Sequence, residues 1–288
     1  MNNLVAKYKE KIMEGVFLGA ALFSIFAVIL ICVFLFAGGL PAIGKIGVFS
    51  FLFGTEWSPT DEPASFGIFP MILGSLYVTA GAILIGVSIG VLTAVFMASF
   101  CPPRLHKILK PAIDILAGIP SVVYGFFGLI VLVPFVRVHL GGSGSSILTA
   151  SVLLGIMILP TIIGVAESAL RAVPSSYYEG ALALGATHER SIFFVVLPAA
   201  TSGVMAGVVL GIGRAIGETM AVILVAGNQA RIPNGILNGA RTLTSNIVLE
   251  MGYAADLHRE ALIGTGVVLF VFILIINLSF SFMKRAKR

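Results

Sequence analysis

The sequence predicts an all-α integral membrane protein, one bundle of six transmembrane helices, and three observations predict it. Hydrophobic residues make up 58% of the chain and charged residues 11%, with a mean hydropathy of +1.07, outside the range of water-soluble globular domains. Several apolar runs reach the roughly 20 residues that a helix needs to cross the ~30 Å apolar slab of a bilayer. Period-two alternation is absent. The spans are therefore helices rather than barrel strands, because lipid cannot satisfy open backbone groups.

Lys7, Lys9 and Lys11 precede an apolar run from Val16 to Ala37, too long for a cleaved h-region, which reads as an uncleaved first span over about 16–37. Gly38, Gly39 and Pro41 are expected to close it. A loop to about Phe69 carries Glu56, Trp57, Pro59, Asp61, Glu62 and Pro63, an acidic outer loop with an interfacial tryptophan. The second span covers about 70–100 and ends at Cys101-Pro102-Pro103, before a short basic loop of Arg104, His106, Lys107 and Lys110. The third covers about 111–138 and is interrupted at Ile119-Pro120-Ser121. A proline there frees a backbone carbonyl that only protein or water can cover, so this span is expected to face the bundle interior.

Gly141 to Ser146 form a tight turn, and the fourth span follows over about 147–170, with Pro160 inside and Glu167 near its end. The fifth covers about 199–227, and the loop from Asn228 to Arg259 contains an amphipathic piece around Thr242 to Met251. The sixth, about 261–283, ends in Lys284, Arg285, Lys287 and Arg288. The whole chain, 1–288, reads as a single transmembrane domain.

A net charge of +5 and a pI near 9.4 do not indicate nucleic acid, because Lys and Arg sit in short clusters between apolar runs. With both termini assigned to the cytoplasm, the inner segments hold twelve Lys or Arg and the longer outer loops five: Lys45, Arg137, Arg231, Arg241 and Arg259. That asymmetry orients the bundle in the cell's inner (plasma) membrane. Arg214 belongs to neither side.

Two cysteines, Cys32 and Cys101, suggest neither a disulfide framework nor a metal site, and His106, His139, His188 and His258 fall in four separate places. Gly39 to Lys45 imitates a phosphate-binding loop, but Ile46 stands where Ser or Thr would hold magnesium. No cofactor is expected.

The stretch from Pro174 to Pro198 is a polar loop between spans. Ser176 followed three residues later by Glu179 reads as a capping box that starts a short helix, and Gly185 is expected to stop it. Thr187 can cap a second short helix, with Glu189 near its N-terminus, until Leu197-Pro198 opens the fifth span. The result is a knob projecting from the membrane.

Glu179-Gly180-Ala181, then Gly185, then Val195-Val196-Leu197-Pro198 resemble the EAA loop of ABC-importer permeases, with Gly180 in place of an Ala and Val195 in place of Ile. The resemblance implies a type I ABC-importer permease bundle. It also implies an ATPase-coupling role for Glu179, Gly180, Ala181, Gly185, Leu197 and Pro198, since in that family this loop docks on the cytoplasmic ATPase.

In the fifth span, at ~100° per residue, Gly203, Gly207 and Gly211 fall within ~80° of one another, with Arg214 at ~20° and Glu218 at ~60°. Small residues and both charges are thus expected on one face that turns away from lipid. A mid-membrane Arg costs at least about 2.5 kcal/mol on insertion scales, and by default marks a functional pathway. The other reading is an ion pair with Glu218 at i+4, and the two can coexist. Guanidinium forks match tetrahedral oxyanions. Arg137, at the outer end of the third span, reads as an interfacial arginine or as an attractor of anions toward the pathway. Asp114 and Glu167 read as capping or partner-facing groups.

The run Gly211-Ile-Gly-Arg-Ala-Ile-Gly-Glu-Thr-Met220, with Phe53-Gly-Thr-Glu-Trp-Ser-Pro59 and Phe66-Gly-Ile-Phe-Pro70, is similar to PstC-type permeases of bacterial phosphate importers from about residue 10 onward. That resemblance implies phosphate passage at Arg214 and Glu218. It implies three partners: a PstA-type permease subunit, an ATPase dimer and an extracytoplasmic phosphate-binding protein. It also implies that the chain itself is not an enzyme. Another oxyanion (sulfate, molybdate or phosphonate), an autonomous secondary anion transporter and a structural or signalling subunit are the alternatives.

Overall fold

In a computed structural model, the backbone is described for residues 2–286 and side chains for residues 9–279. Lys7 and the terminal Lys284, Arg285, Lys287 and Arg288 of the charge argument lie outside the described side chains. Helix α1 (Asn2–Ile46) does not end at Gly38-Gly39-Pro41 but runs through them. The glycines are packing sites: a Cβ on Gly39 would lie 2.7 Å from Val267 Cγ2 and 2.9 Å from the backbone of Gly264. Close approach to the last helix, α14 (Asp256–Ala286), thus outweighs glycine's low helix propensity. Gly47, at φ +92°, makes the turn instead.

After the short α2 (Val48–Phe53) a small antiparallel ribbon pairs β1 (Trp57–Ser58) with β2 (Ser65–Phe66). Trp57 is not an interfacial residue. It is buried in a cluster with Phe51, Phe66, Ile68, Met71, Leu243 and Leu262, and its indole donates to Glu250 Oε2 at 2.8 Å.

Helix α3 (Phe69–Val95) continues into a π-helical turn at Phe96–Phe100, and Pro102 and Pro103 end it. The third span differs from the expected 111–138. Residues Pro103–Gly118 form a separate amphipathic helix, α4, and the chain breaks at Ile119-Pro120 before α5 (Ser121–Phe127), a π-helical turn at Gly128–Leu132 and α6 (Val133–His139). The proline ring cannot follow a helical residue comfortably, so Ile119 turns extended, at ψ 127°. The carbonyl of Leu116 that the break frees is covered by protein: Tyr124 Oη donates to it at 2.9 Å.

Helix α7 (Ile147–Arg171), N-capped by Ser146, is the most buried span, with 67% of its most apolar stretch enclosed. Gly81, Gly86 and Gly90 of α3 pack on one side of it, against Ser151, Ile158 and Ile162. Five helices among the described residues are long and apolar enough to cross a membrane, and the bent pair His188–Ala199 and Thr201–Gly217 would make a sixth.

The fifth span is not one helix. After α8 (Ser175–Ala183), α9 (His188–Ser191) passes through a π-helical turn into α10 (Leu197–Ala199), and at Ala200 the chain bends by 71° into α11 (Thr201–Gly217). It breaks again at Glu218-Thr219 before α12 (Met220–Val225). Thr242 N-caps α13 (Leu243–Glu250), which precedes α14.

Candidate functional site

Gly203, Gly207 and Gly211 form the close face of α11: Cβ atoms there would meet Ala169, Val165 and Ile162 of α7. Arg214 leaves that contact line. Its Nη1 donates to Thr161 Oγ1 of α7 at 3.3 Å, and the Tyr124 hydroxyl lies within reach of its charge. Gly213 and Gly217, beside it on α11, have nothing within 4 Å of a built Cβ, as does Gly164 on α7.

The ion pair that the i+4 spacing allows between Arg214 and Glu218 does not form. Gly217 is the last residue of α11, and Glu218 is extended at φ −70° and ψ 128°. No carboxylate among the described residues lies within 4.0 Å of Arg214. Glu218 Oε1 instead accepts from the Ala221 backbone N–H at 3.3 Å, where it covers one open donor at the start of α12. The helical φ of Glu218 keeps its Cβ on the line of α11, while its ψ turns the following chain out of the helix. Glu218 also lines a cavity of about 10 Å³, together with Ser75, Thr79, Thr242 and Thr244, room for about one water molecule.

Two spans are broken, the third at Ile119-Pro120 and the fifth at Glu218-Thr219, just after Arg214. They are coupled: a Cβ on Gly125 of α5 would lie 2.8 Å from Ala221 Cα of α12. Helix breaks at membrane depth are tolerated only where protein or a polar cavity covers the backbone, and such breaks characteristically build substrate sites.

Arg137 is exposed and donates from Nε to the Ser143 carbonyl at 2.9 Å, bracing the turn in which Gly141, Gly142 and Gly144 take positive φ. The structure does not bring it to Arg214. Glu167 is no cap. Its side chain is 4% exposed, and it accepts from His106 Nε2 at 2.7 Å, Lys110 Nζ at 3.2 Å and Arg171 Nε at 2.9 Å, while Arg171 Nη2 donates to the Met97 carbonyl at 2.8 Å. Asp114 is exposed, 3.8 Å from Lys110.

In the loop between α7 and α11 the capping box does not form. Pro174 is the N-cap residue of α8 without a side-chain bond, and Ser176 lies inside the helix. Proline's fixed φ, here −55°, sets the helix entry in its place. Gly185 takes φ +84° after the helix end, and Thr187 Oγ1 accepts from the Arg190 N–H at 3.3 Å to cap α9. Hydrogen bonds from its own backbone N–H and from Thr187 hold Glu189 below the usual carboxylate range.

Glu179, Gly180 and Pro198 are exposed, and Ala181 and Leu197 half-buried. Leu184, between α8 and α9, is 91% exposed, and Tyr177 and Phe194 of the same loop are exposed as well. On the inner side, Tyr178 Oη bonds His188 Nδ1 at 2.8 Å, and His188 meets the Phe100 ring edge-on at 4.8 Å.

Sequence reasoning missed Thr161, Tyr124 and the cations around Glu167. Thr161 offered a weak signal, a hydroxyl beside Pro160 in an otherwise apolar run. For Glu167 the spacing offered Arg171 at i+4, but His106 and Lys110 gave no signal, because they come from a helix about 60 positions away.

This arrangement of broken spans is an ABC-importer permease fold. The structure resembles the inward-facing MetNI methionine ABC transporter, with a TM-score of 0.62 at 22% identity over 76% of this chain and 95% of that one. It resembles a bacterial alginate ABC transporter equally, at 0.62 and 17% over 92% and 94%. By sequence, residues 86–287 match the family described as binding-protein-dependent transport system inner membrane component. The chain is 41% identical over 266 residues to a probable ABC transporter permease protein, YqgH, of Bacillus subtilis, covering 89% of this chain and 86% of the relative. It is 37% identical to the phosphate transport system permease protein PstC of Mesorhizobium japonicum, over 84% and 79% of the two chains. To a probable PstC of Methanocaldococcus jannaschii it is 33% identical, over 90% and 88%. The chain belongs to the binding-protein-dependent transport family, as a multi-pass inner-membrane permease subunit.

Proposed function

We propose that this chain forms half of the translocation pathway of an ATP-driven importer of inorganic phosphate. The observation that carries the reading is Arg214: a guanidinium without a carboxylate partner among the described residues, beside Thr161 and four residues before the helix break at Glu218. An arginine so placed offers its fork to an anion. Relatives named as phosphate permeases supply the cargo.

The open glycines around Arg214 are suited to the approach of a second permease chain, because lipid is a poor cover for a guanidinium. That partner is PstA-like in this reading. The exposed apolar side chain of Leu184 suits a groove on an ATPase dimer, with Glu179, Gly180 and Ala181 on the docking helix and Leu197-Pro198 passing its movement to α11. The chain itself hydrolyses nothing. Loops 47–68 and 227–255 face an extracytoplasmic phosphate-binding protein, and both termini are cytoplasmic. Glu218, which as a carboxylate only accepts hydrogen bonds, favours an anion that keeps a proton at neutral pH over fully ionised sulfate.

Phosphate uptake, with sulfate, molybdate and phosphonate as competitors, tests the reading in cells whose only high-affinity phosphate system contains this chain. Arg214→Gln is expected to abolish uptake with the complex assembled. Normal uptake in that variant would exclude Arg214 from the pathway, and uptake of a competitor in preference to phosphate would reassign the cargo.

A further inference from the structure

The cluster around Glu167 has more positive charge than its one buried carboxylate needs. Lys110 and Arg171 both bond that carboxylate, and their side chains remain 32% and 49% exposed. Arg171 directs Nε to Glu167 and Nη2 to Met97, which leaves Nη1 open, and the Lys110 ammonium has donors to spare. His106 adds an imidazole, and Arg104 and Lys107 are exposed on the same helix α4. The acids that pair with these cations among the described residues are Glu167 and, 3.8 Å from Lys110, the exposed Asp114.

A polar track on α7 joins this cluster to Arg214. Thr161, Gly164, Ser168 and Arg171 fall at ~0°, ~300°, ~340° and ~280° around the helix, an arc of ~80°, and rise ~15 Å along it. Thr161 bonds Arg214, Gly164 has open space where a Cβ would be, and Ser168 and Arg171 are exposed. The track thus begins at the proposed anion site and ends, through small or polar side chains, at open cationic donors beside the ATPase-docking loop.

We propose that Arg171 and Lys110, held in place by Glu167, form a second binding station for a tetrahedral oxyanion, at the end of the pathway from which it is released. The ligand is inorganic phosphate, and to that extent the proposal rests on the function proposed above. Glu167 occupies two donors and fixes both side chains, while the remaining N–H groups receive the anion leaving Arg214.

The test uses the complete importer in liposomes, with the ATPase side facing the lumen and the lumen preloaded with phosphate. Initial rates of ATP-driven uptake of labelled phosphate are read as luminal phosphate is raised. Wild type is expected to be slowed. Arg171→Gln should raise the luminal concentration for half-inhibition about tenfold, the loss of roughly one charge-assisted hydrogen bond. Lys110→Gln should act in the same direction, and Arg171→Lys should restore part of the sensitivity. A merely structural cluster predicts lower uptake in the variants with half-inhibition unmoved, and that result overturns the proposal. So does a wild type indifferent to luminal phosphate, which leaves the phosphate reading standing. A wild type that takes up no phosphate brings down both.

Discussion

Replacing Gly125 with alanine tests whether the two helix breaks form one unit. The added Cβ would lie 2.7 Å from Leu224 Cδ1 and 2.8 Å from Ala221 Cα. Leu224 can rotate away, but Ala221 Cα is backbone. Restoring an ordinary contact of 3.4 Å therefore requires α5 and α12 to separate by about 0.6 Å. Overpacking of this kind costs about 1–3 kcal/mol. The strain falls next to Tyr124, whose hydroxyl covers the Leu116 carbonyl, and within reach of Arg214. The expected outcome is an assembled complex with a lower melting temperature and phosphate uptake reduced several-fold or more. Thermal melting followed by size-exclusion chromatography reads the first, and uptake at saturating phosphate the second. If Gly125→Ala melts and transports as wild type does, the packing of α5 on α12 has no part in holding the site.

Three further outcomes are expected. Tyr124→Phe removes the hydroxyl from the Leu116 carbonyl, and because the Ile119 N–H still approaches that carbonyl at 3.4 Å, the loss should stay near 1 kcal/mol, read as a small drop in melting temperature with uptake more affected than stability. Gly180→Ala places a better helix former at an exposed position of α8 with nothing within 4 Å, so it should be tolerated in ATPase coupling and add up to about 1 kcal/mol to that helix; loss of uptake would show that the ATPase approaches Gly180 too closely for a methyl group. Glu167→Gln leaves Lys110 and Arg171 without their shared counter-charge, and because both can partly rehydrate, the cost should fall at or below the ~3–5 kcal/mol of a broken buried pair; a melting temperature equal to wild type would mean the cluster contributes no stability.

Composition and run length alone determined that this is a helical membrane bundle, because the bilayer imposes one length and one way of satisfying the backbone. They also located the isolated charge at Arg214, the close-packing glycines of the fifth span and the turns at Gly185 and Thr187, each governed by a few neighbouring residues. Tertiary structure decided what local rules could not. Helix α1 passes through Gly38-Gly39-Pro41 because α14 packs there, and Trp57 is buried because Glu250, far along the chain, accepts its N–H. Glu167 became a hub because a helix about 60 residues earlier brings His106 and Lys110 to it. Glu218 makes no ion pair with Arg214 because the chain leaves the helix at Gly217, and the open Ala221 N–H at the start of the next helix takes its carboxylate. A helical period can be read from one segment. Where that period stops inside a membrane depends on which neighbours cover the open backbone, and those neighbours are distant in sequence.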